Sequence, residues 1–476
     1  MGMKTSPQIA VITNVTPNHL DYHKDYEEYT EEVINKPNGN VNICANDNYS
    51  MLVNDFGEGY SKLGEIYITK FNNSYRQSSI VYIKNMDENV YWSNTLLPAE
   101  KKPDAYEANF SGAKSEFYRK DGNIETITKI AVSSEDDVEV KQIEIRNVGD
   151  AAVNLDLMSY DEIILAEKNS DIAHPVYNNL FLCTNNIEEN IVIEKKFHNG
   201  QKMFFTDFAV TSDERIKFEV ELDKCKVIGR NGCIKRPIAM EENRMFSNDI
   251  SSVANTVVAI NSTFVIEPHE SVTINYYKGV ADDLEAIKEI IEKYHKADAE
   301  KRLFDMARSR SSVENRFLGF KGKDIVLYNK ILAQIFNGSK TREKYENKIA
   351  QSTGSQQDLW KYGISGDNPI ILVKIKNVND VFVIKELLNA MEYFVLKNIK
   401  VDLVIIDEER GTEKYTGAKI LENIHAKNIA YLLNANGGIH VLNLNQIQND
   451  DLNLLYSCSD IIWEAKDGFL KELVEE

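Results

Sequence analysis

The hydrophobic pattern changes character along the chain. Through residues 40–280 apolar and polar positions alternate. Val153, Leu155 and Leu157 are interleaved with Asn154, Asp156 and Met158; Phe218, Val220 and Leu222 with Glu219, Glu221 and Asp223; Val272, Ile274 and Tyr276 repeat the motif. A period of two sends one set of side chains to a core and the other towards water, so these runs predict half-buried strands. Turn sequences fall between them, at Asp121-Gly122-Asn123, Asn147 to Asp150, Asn199-Gly200 and Asn231-Gly232. Strands so punctuated predict hairpin-linked antiparallel sheets and a large sandwich.

After residue 280 the period lengthens. Leu284, Ile287, Ile290, Ile291 and Tyr294 form a helical stripe, with Asp282 or Asp283 placed to cap it. Helices are also expected over much of 296–310 and over 324–336, as linkers following the sandwich. From residue 368 strands alternate with helices: Ile370 to Ile375, a helix through Val383, Leu387, Leu388 and Met391, Val401 to Ile406, a helix at Thr416 to His425, Ile439 to Leu444, and Asp460 to Trp463. That alternation predicts a small parallel sheet with right-handed crossovers. At the other end, residues 1–36 read as a strand (Ile9 to Thr13), a turn at Pro17-Asn18 and a polar, potentially helical segment, closed by the breaker cluster Lys36 to Asn40. The fold class is therefore mainly β with an α/β C-terminal part. Its divisions are 1–36, a supersandwich over 40–280, a helical linker and loop over 281–367, and an α/β unit over 368–476.

The chain's 476 residues exceed one core and suit two or three domains. A net charge of −19 argues against nucleic-acid binding and against docking on an anionic membrane. The five cysteines are scattered, with no C-x-x-C pair, so buried reduced thiols are expected in place of a disulfide framework or a zinc site. No apolar run approaches a membrane span and no signal peptide is evident, which points to a cytoplasmic protein without a bound cofactor.

Among polar residues, Trp360, Tyr362, Ser365 and Asp367 are the best ligand candidates. Aromatic faces stack on the C–H face of a pyranose and carboxylates accept its hydroxyls. The alternative is that Gly363 to Asp367 simply makes a tight loop entering the next strand. His174, before Pro175, reads either as a loop histidine bonding sugar hydroxyls or, more economically, as a buried imidazole holding a turn. Asp407 ends a strand, where open α/β sheets bind ligands. Asp136-Asp137 reads as a solvated turn, and Gly57 and Gly59 as positive-φ positions of a hairpin or bulge.

Four blocks carry a family resemblance: Asn48-Tyr49-Ser50-Met51-Leu52-Val53-Asn54 with Gly57 to Ser61; Asp171 to Phe181; Ile228-Gly229-Arg230 with Arg236 to Met240; and Leu359-Trp360-Lys361-Tyr362-Gly363-Ile364-Ser365-Gly366-Asp367-Asn368-Pro369-Ile370. In this order they resemble the cyclic β-1,2-glucan synthases, enzymes of the glycoside hydrolase family 94 type. The resemblance implies a supersandwich and connector that accompany an (α/α)6 catalytic barrel. The expected partners are a β-glucan or gluco-oligosaccharide and the barrel of a longer or neighbouring enzyme, with membrane association only through a larger synthase. No segment of the Gly-Asp-Trp-Asn type occurs near the end, so no catalytic residue is assigned. Separately, Ile12-Thr13-Asn14-Val15-Thr16-Pro17-Asn18-His19-Leu20-Asp21-Tyr22-His23 resembles the central-domain block of the Mur ligases. There the matching histidine, here His19, helps place Mg²⁺. The phosphate-cradling loop that such ATP chemistry needs is absent, and residues 1–36 are expected to add little to the remaining fold.

Overall fold

A computed structural model describes residues 32–34, 37–71, 76, 79–187, 189–242, 246–249, 256–409 and 415–475. The chain forms two units, residues 1–317 and 318–476. The strand, turn and His19 read near the start of the sequence lie outside the described residues. Within the expected helical stretch, however, Glu32–Ile34 is a strand, β1, so the end of that segment joins the sheet.

The first unit's strands continue as β2 (Val41–Ala45), β3 (Tyr49–Asn54), β4 (Gly59–Leu63), β5 (Ile66–Thr69), β6 (Ser79–Asn85), β7 (Val90–Ser93), β8 (Ala105–Phe110) and β9 (Ser115–Asp121). They are followed by β10 (Ile124–Val132), β11 (Val138–Asn147), β12 (Val153–Glu167), β13 (Leu182–Ile187), β14 (Asn190–Lys196), β15 (Lys202–Val210), β16 (Glu219–Asp223), β17 (Thr256–Ile266) and β18 (Ser271–Ala281). Among the described residues they make two nine-stranded antiparallel sheets. One runs β1-β8-β9-β10-β11-β18-β15-β14-β13; the other runs β16-β17-β12-β5-β4-β3-β2, with β6 and β7 attached beside β12. Phe117, Ile145, Phe205 and Ile274 of the first sheet meet Val53, Trp92, Leu157 and Ile260 of the second in one core.

Alternation underestimates this burial. On β12 both residue sets are buried over most of the strand. Leu155 and Leu157 face the inter-sheet core, while Met158 and Tyr160 face a second cluster with Tyr82, Val227 and Met240. The outer face is roofed by the helical turns Lys224–Val227 and Ile238–Glu242, which a local period cannot reveal. Past Asp161 the strand changes partner from β6 to β5, and a register shift between Ile163 and Ala166, where Leu165 takes φ 44°, interrupts the β5 pairing. Gly57 has φ 92°, and a Cβ there would lie 2.1 Å from Thr95 Oγ1, so its glycine is required twice over.

Besides those two helical turns, this part of the chain forms α1 (Lys168–Ala173), α2 (Pro175–Asn179), α3 (Leu284–Tyr294) and α4 (Ala299–Leu318). Asp283 caps α3, accepting the Ala286 N–H at 2.9 Å. The stripe Ile287, Ile290, Ile291 and Tyr294 packs on Val138, Val140 and Tyr277 of the first sheet, joined by Leu303 and Ala307 of α4. At about 1.5–3 kcal/mol per buried side chain, α3 is a structural layer of the sandwich and more than a linker. Asp136 fastens it by accepting from Tyr294 Oη at 2.7 Å and Lys293 Nζ at 2.5 Å. The supposed solvated turn is thus a helix clamp.

Between the sheets lies a buried ionic network. Lys278 reaches Glu139 at 2.7 Å and Asp161 at 2.9 Å. Glu139 also accepts from Tyr49 Oη at 3.0 Å and Ser61 Oγ at 2.5 Å. Lys141 donates to Ser79 Oγ at 2.5 Å, and Asp207 stands beside them. Burial alone would neutralise Glu139, but Lys278 outweighs it and holds the carboxyl below its usual range. Burial pushes Lys141 down to about 8, with the Lys278 charge adding to it. Burial, with the Asp161 charge adding to it, drives the Asp207 carboxyl well up and favours its neutral form.

The second unit adds β19 (Ile370–Ile375), β20 (Asp402–Asp407), β21 (Ile439–Asn443) and β22 (Ile461–Glu464), all parallel in the order β21-β20-β19-β22. Its longer helices are α5 (Gly322–Asn337), α6 (Phe382–Leu396), α7 (Tyr415–His425) and α8 (Asn449–Cys458). Buried Asp402 accepts the N–H groups of Gly437 (2.8 Å) and Gly438 (3.1 Å) and faces His440 Nε2 at 3.3 Å. A Cβ on Gly438 would lie 2.2 Å from Leu432 O, so the glycine pair serves the tight entry to β21.

Candidate functional site

Two groups of candidate residues come to the surface, one in each unit. Between β12 and β13 the first unit's chain leaves the sandwich as α1 and α2, which meet at His174. His174 is exposed and makes no side-chain cap, so the buried-imidazole reading is overturned; the buried side chain of α1 is Asp171, 2 % exposed. Neither Asp171 carboxylate oxygen has a hydrogen-bond partner among the described residues, and burial raises its pKa. Beneath it Lys195 donates to Asn178 O at 2.6 Å, and burial lowers its ammonium to about 8. Outside, Tyr177 packs edge-on against Phe181 at 5.1 Å and stacks on His198 at 5.8 Å. Sequence reasoning missed this trio. The i, i+4 spacing of Tyr177 and Phe181 was the available signal, whereas His198 arrives from beyond β14.

In the second unit, Gln356–Tyr362 forms a 3-10 turn opened by Ser355, whose N–H donates to Asp358 Oδ2 at 2.8 Å, and ended by left-handed Gly363. Trp360 is 60 % exposed and its Nε1–H donates to Ser365 O at 3.3 Å. Gln356 Nε2 donates to the same carbonyl at 2.9 Å and to Asp367 Oδ1 at 3.1 Å. Ser365 Oγ pairs with Asn436 Oδ1 at 3.1 Å and accepts the Asp367 N–H at 3.1 Å. The structure thus gathers Trp360, Ser365 and Asp367. Tyr362 turns away, donating its hydroxyl to Asp451 Oδ2 at 2.7 Å at the start of α8. The arrangement offers an exposed indole face beside a carboxylate and a serine.

Asp407 ends β20 as expected but is buried. It accepts the Glu409 N–H at 3.0 Å, and α7 comes so close that a Cβ on Gly417 would lie 3.1 Å from its Oδ2. More accessible at this edge of the sheet are Lys374, Glu408 and Glu464, with Lys374 Nζ 2.9 Å from Glu408 and 3.5 Å from Glu464. Burial raises the Glu464 carboxyl, yet hydrogen bonds from Lys466 and Tyr345 and the Lys374 charge outweigh it and hold the group at about 2 instead of 4.5. A carboxyl depressed by folding lends stability that is complete above its unfolded pKa and lost as pH falls through the folded one. Glu464→Gln is therefore expected to flatten the acid loss of stability of the second unit between pH 4.5 and 2. Thermal unfolding across that range is the check, and an unchanged slope would show that the pairing does not hold in solution.

Among the described residues no group of three or more His, Cys, Asp or Glu side chains is placed to hold a metal ion, and no helix is long and apolar enough to cross a membrane. Cys44 is buried as expected, but Cys183, Cys225 and Cys233 are exposed free thiols: they sit on an outer strand and on surface turns that the sequence pattern did not distinguish.

The two stacked nine-stranded sheets, roofed by helices, define a β-supersandwich. The chain belongs to the family described as Glycosyl hydrolase 94, supersandwich domain, whose model matches residues 25–297. It is similar to the cyclic beta-(1,2)-glucan synthase NdvB of Rhizobium meliloti (strain 1021), with 21% identity over 456 residues, 93% of this chain and 16% of the synthase. It is similar to the solabiose phosphorylase of Paenibacillus borealis at 22% identity, over 44% of this chain and 27% of that protein. A stretch of 105 residues is 32% identical to a UDP-N-acetylmuramoylalanine–D-glutamate ligase of Ruminiclostridium cellulolyticum, over 21% of this chain and 20% of the ligase. The chain spans less than a third of the length of each of these relatives. Both sequence resemblances are thereby found, and the family is one related to glycosyltransferases and phosphorylases.

Proposed function

We propose that this chain is the carbohydrate-binding and scaffolding portion of a β-glucan-synthesising or phosphorolytic enzyme of the cyclic β-1,2-glucan synthase type, acting in the cytoplasm. In it the sandwich of residues 40–280 and the α/β unit of 368–476 support a glucan or a catalytic barrel. The observation that carries the reading is Trp360. An indole 60 % exposed yet tied by its own N–H to Ser365 O forgoes the burial that usually places tryptophan inside. Such a fixed flat face, beside Asp367 and Ser365, suits the apolar side of a pyranose. In the first unit, His174 and its aromatic neighbours offer a sugar contact of their own.

Binding is proposed here without turnover. Cleaving a glycosidic bond needs an acid that protonates the leaving oxygen and a pocket enclosing sugars on both sides. Asp367 is exposed on an open loop and bonded by Gln356. Incubated with β-1,2-glucan and phosphate, the purified chain is expected to yield no glucose 1-phosphate above a no-protein control. Turnover abolished by Asp367→Asn would overturn the binding-only reading and move the chemistry to this loop.

A further inference from the structure

The outer face of the first sheet carries a concavity lined by none of the candidate residues above. A cleft of about 220 Å³ lies between α4 and the sheet. Four cationic side chains line it: Lys114 at the β8–β9 turn, Lys129 on β10, and Lys301 and Arg308 on α4. Strand alternation explains Lys129. Thr126, Thr128 and Ile130 turn inward, and Lys129 faces out between its register partners Glu116 and Gln142. Glu116 is engaged by Lys114 at 2.8 Å. Lys129 and Lys301 make no hydrogen bond or ion pair among the described residues.

In a chain of net charge −19, two unpaired ammonium groups facing one cleft call for an anion. The remaining lining is suited to a sugar. Phe304 supplies an apolar wall for ring C–H groups, and Glu300 and Asp305 supply acceptors for hydroxyls. The volume is below the roughly 300–1,000 Å³ of drug-sized sites, so it suits one ring and one phosphate and excludes an oligosaccharide. We propose that the cleft between α4 and the outer face of the first sheet binds a phosphorylated monosaccharide, with Lys129 and Lys301 holding the phosphate and Phe304 the ring.

The test is calorimetric titration of the full chain at low ionic strength with glucose 6-phosphate, glucose and inorganic phosphate. Glucose 6-phosphate is expected to bind about tenfold or more tightly than either of the others, because only it uses both halves of the site. Lys129→Gln and Lys301→Gln are each expected to weaken it about tenfold, the scale of one charge-assisted hydrogen bond. Both lysines stand on the surface, and an unchanged melting temperature certifies the fold of each variant. Unaltered affinity in both variants would overturn the proposal. So would glucose or inorganic phosphate binding as tightly as the sugar phosphate.

Discussion

Lys278→Ala is expected to destabilise the first unit by about 3–5 kcal/mol, the range for removing one partner of a buried ion pair. Lys278 is 3 % exposed and is the ion-pair partner of both Glu139 and Asp161. Without it, two carboxylates remain between the sheets with Lys141 as the nearest cation, and Lys141 is itself pushed down to about 8 by burial. Protonating the stranded carboxyls is the only relief, so the loss should shrink as pH falls through the acid range. Asp207→Asn is the matched control. Because burial favours the neutral form of Asp207, an amide in its place should change stability by less than about 1 kcal/mol near neutral pH. Urea unfolding followed by circular dichroism measures both. Equal losses for the two variants would contradict the assignment of charge within the network.

A comparable effect is expected at Arg119, two strands away from the Lys278 network's β11 in the same sheet. Arg119 on β9 is fully buried and donates to Asp121 Oδ2 at 2.6 Å, Thr95 O at 2.5 Å and Lys101 O at 2.7 Å. One guanidinium thereby fixes the segment after β7 to the first sheet. Arg119→Ala would leave two carbonyls and part of a buried carboxylate without donors, although Lys101 still meets Asp121. The expected loss is about 3 kcal/mol, with Arg119→Lys recovering only a minor part because an ammonium cannot reproduce the planar fork. Differential scanning calorimetry gives the loss, and limited proteolysis should show new cleavage near residues 95–104. Full stability in Arg119→Lys would mean that charge alone, and not the geometry of the fork, holds the segment.

Much of the architecture was legible because local rules and tertiary context agree. Val272, Ile274 and Tyr276 alternate and line the core; Ile287, Ile290, Ile291 and Tyr294 recur helically and pack; Asp283 caps as its position suggests. The parallel sheet followed from compact apolar runs bounded by polar turns. What escaped the sequence was everything set by a distant partner. Met158 and Tyr160 look solvent-facing until the helical turns near Val227 and Met240 cover them. The helix Asn449–Cys458 opens on the polar run Asn449, Asp450 and Asp451, and only the packing of Leu454, Leu455 and Tyr456 in the core of this unit marks its inner face. Lys278 on β18 lies far in sequence from its partners Glu139 on β11 and Asp161 on β12, and nothing local marks the three as buried.

The candidate site shows the same division. Trp360, Ser365 and Asp367 lie within one short loop, and their proximity followed from the chain itself. Tyr362 belongs to the same stretch but is claimed by Asp451, a competitor 89 residues away. Of the two readings of His174, a loop histidine or a buried imidazole, its exposure removes the second, and the buried side chain is Asp171, three residues earlier.

Titration of the intact chain with β-1,2-linked gluco-oligosaccharides, followed by tryptophan fluorescence, tests the central claim most directly. Trp92 and Trp463 are buried, at 3 % and 1 % exposure, so a change on adding sugar reports Trp360. The account predicts a saturable change with Kd in the range of about millimolar to high micromolar, as expected for a shallow stacking site, and its loss in Trp360→Ala. No change at millimolar sugar, or the same affinity measured calorimetrically in Trp360→Ala, would contradict it.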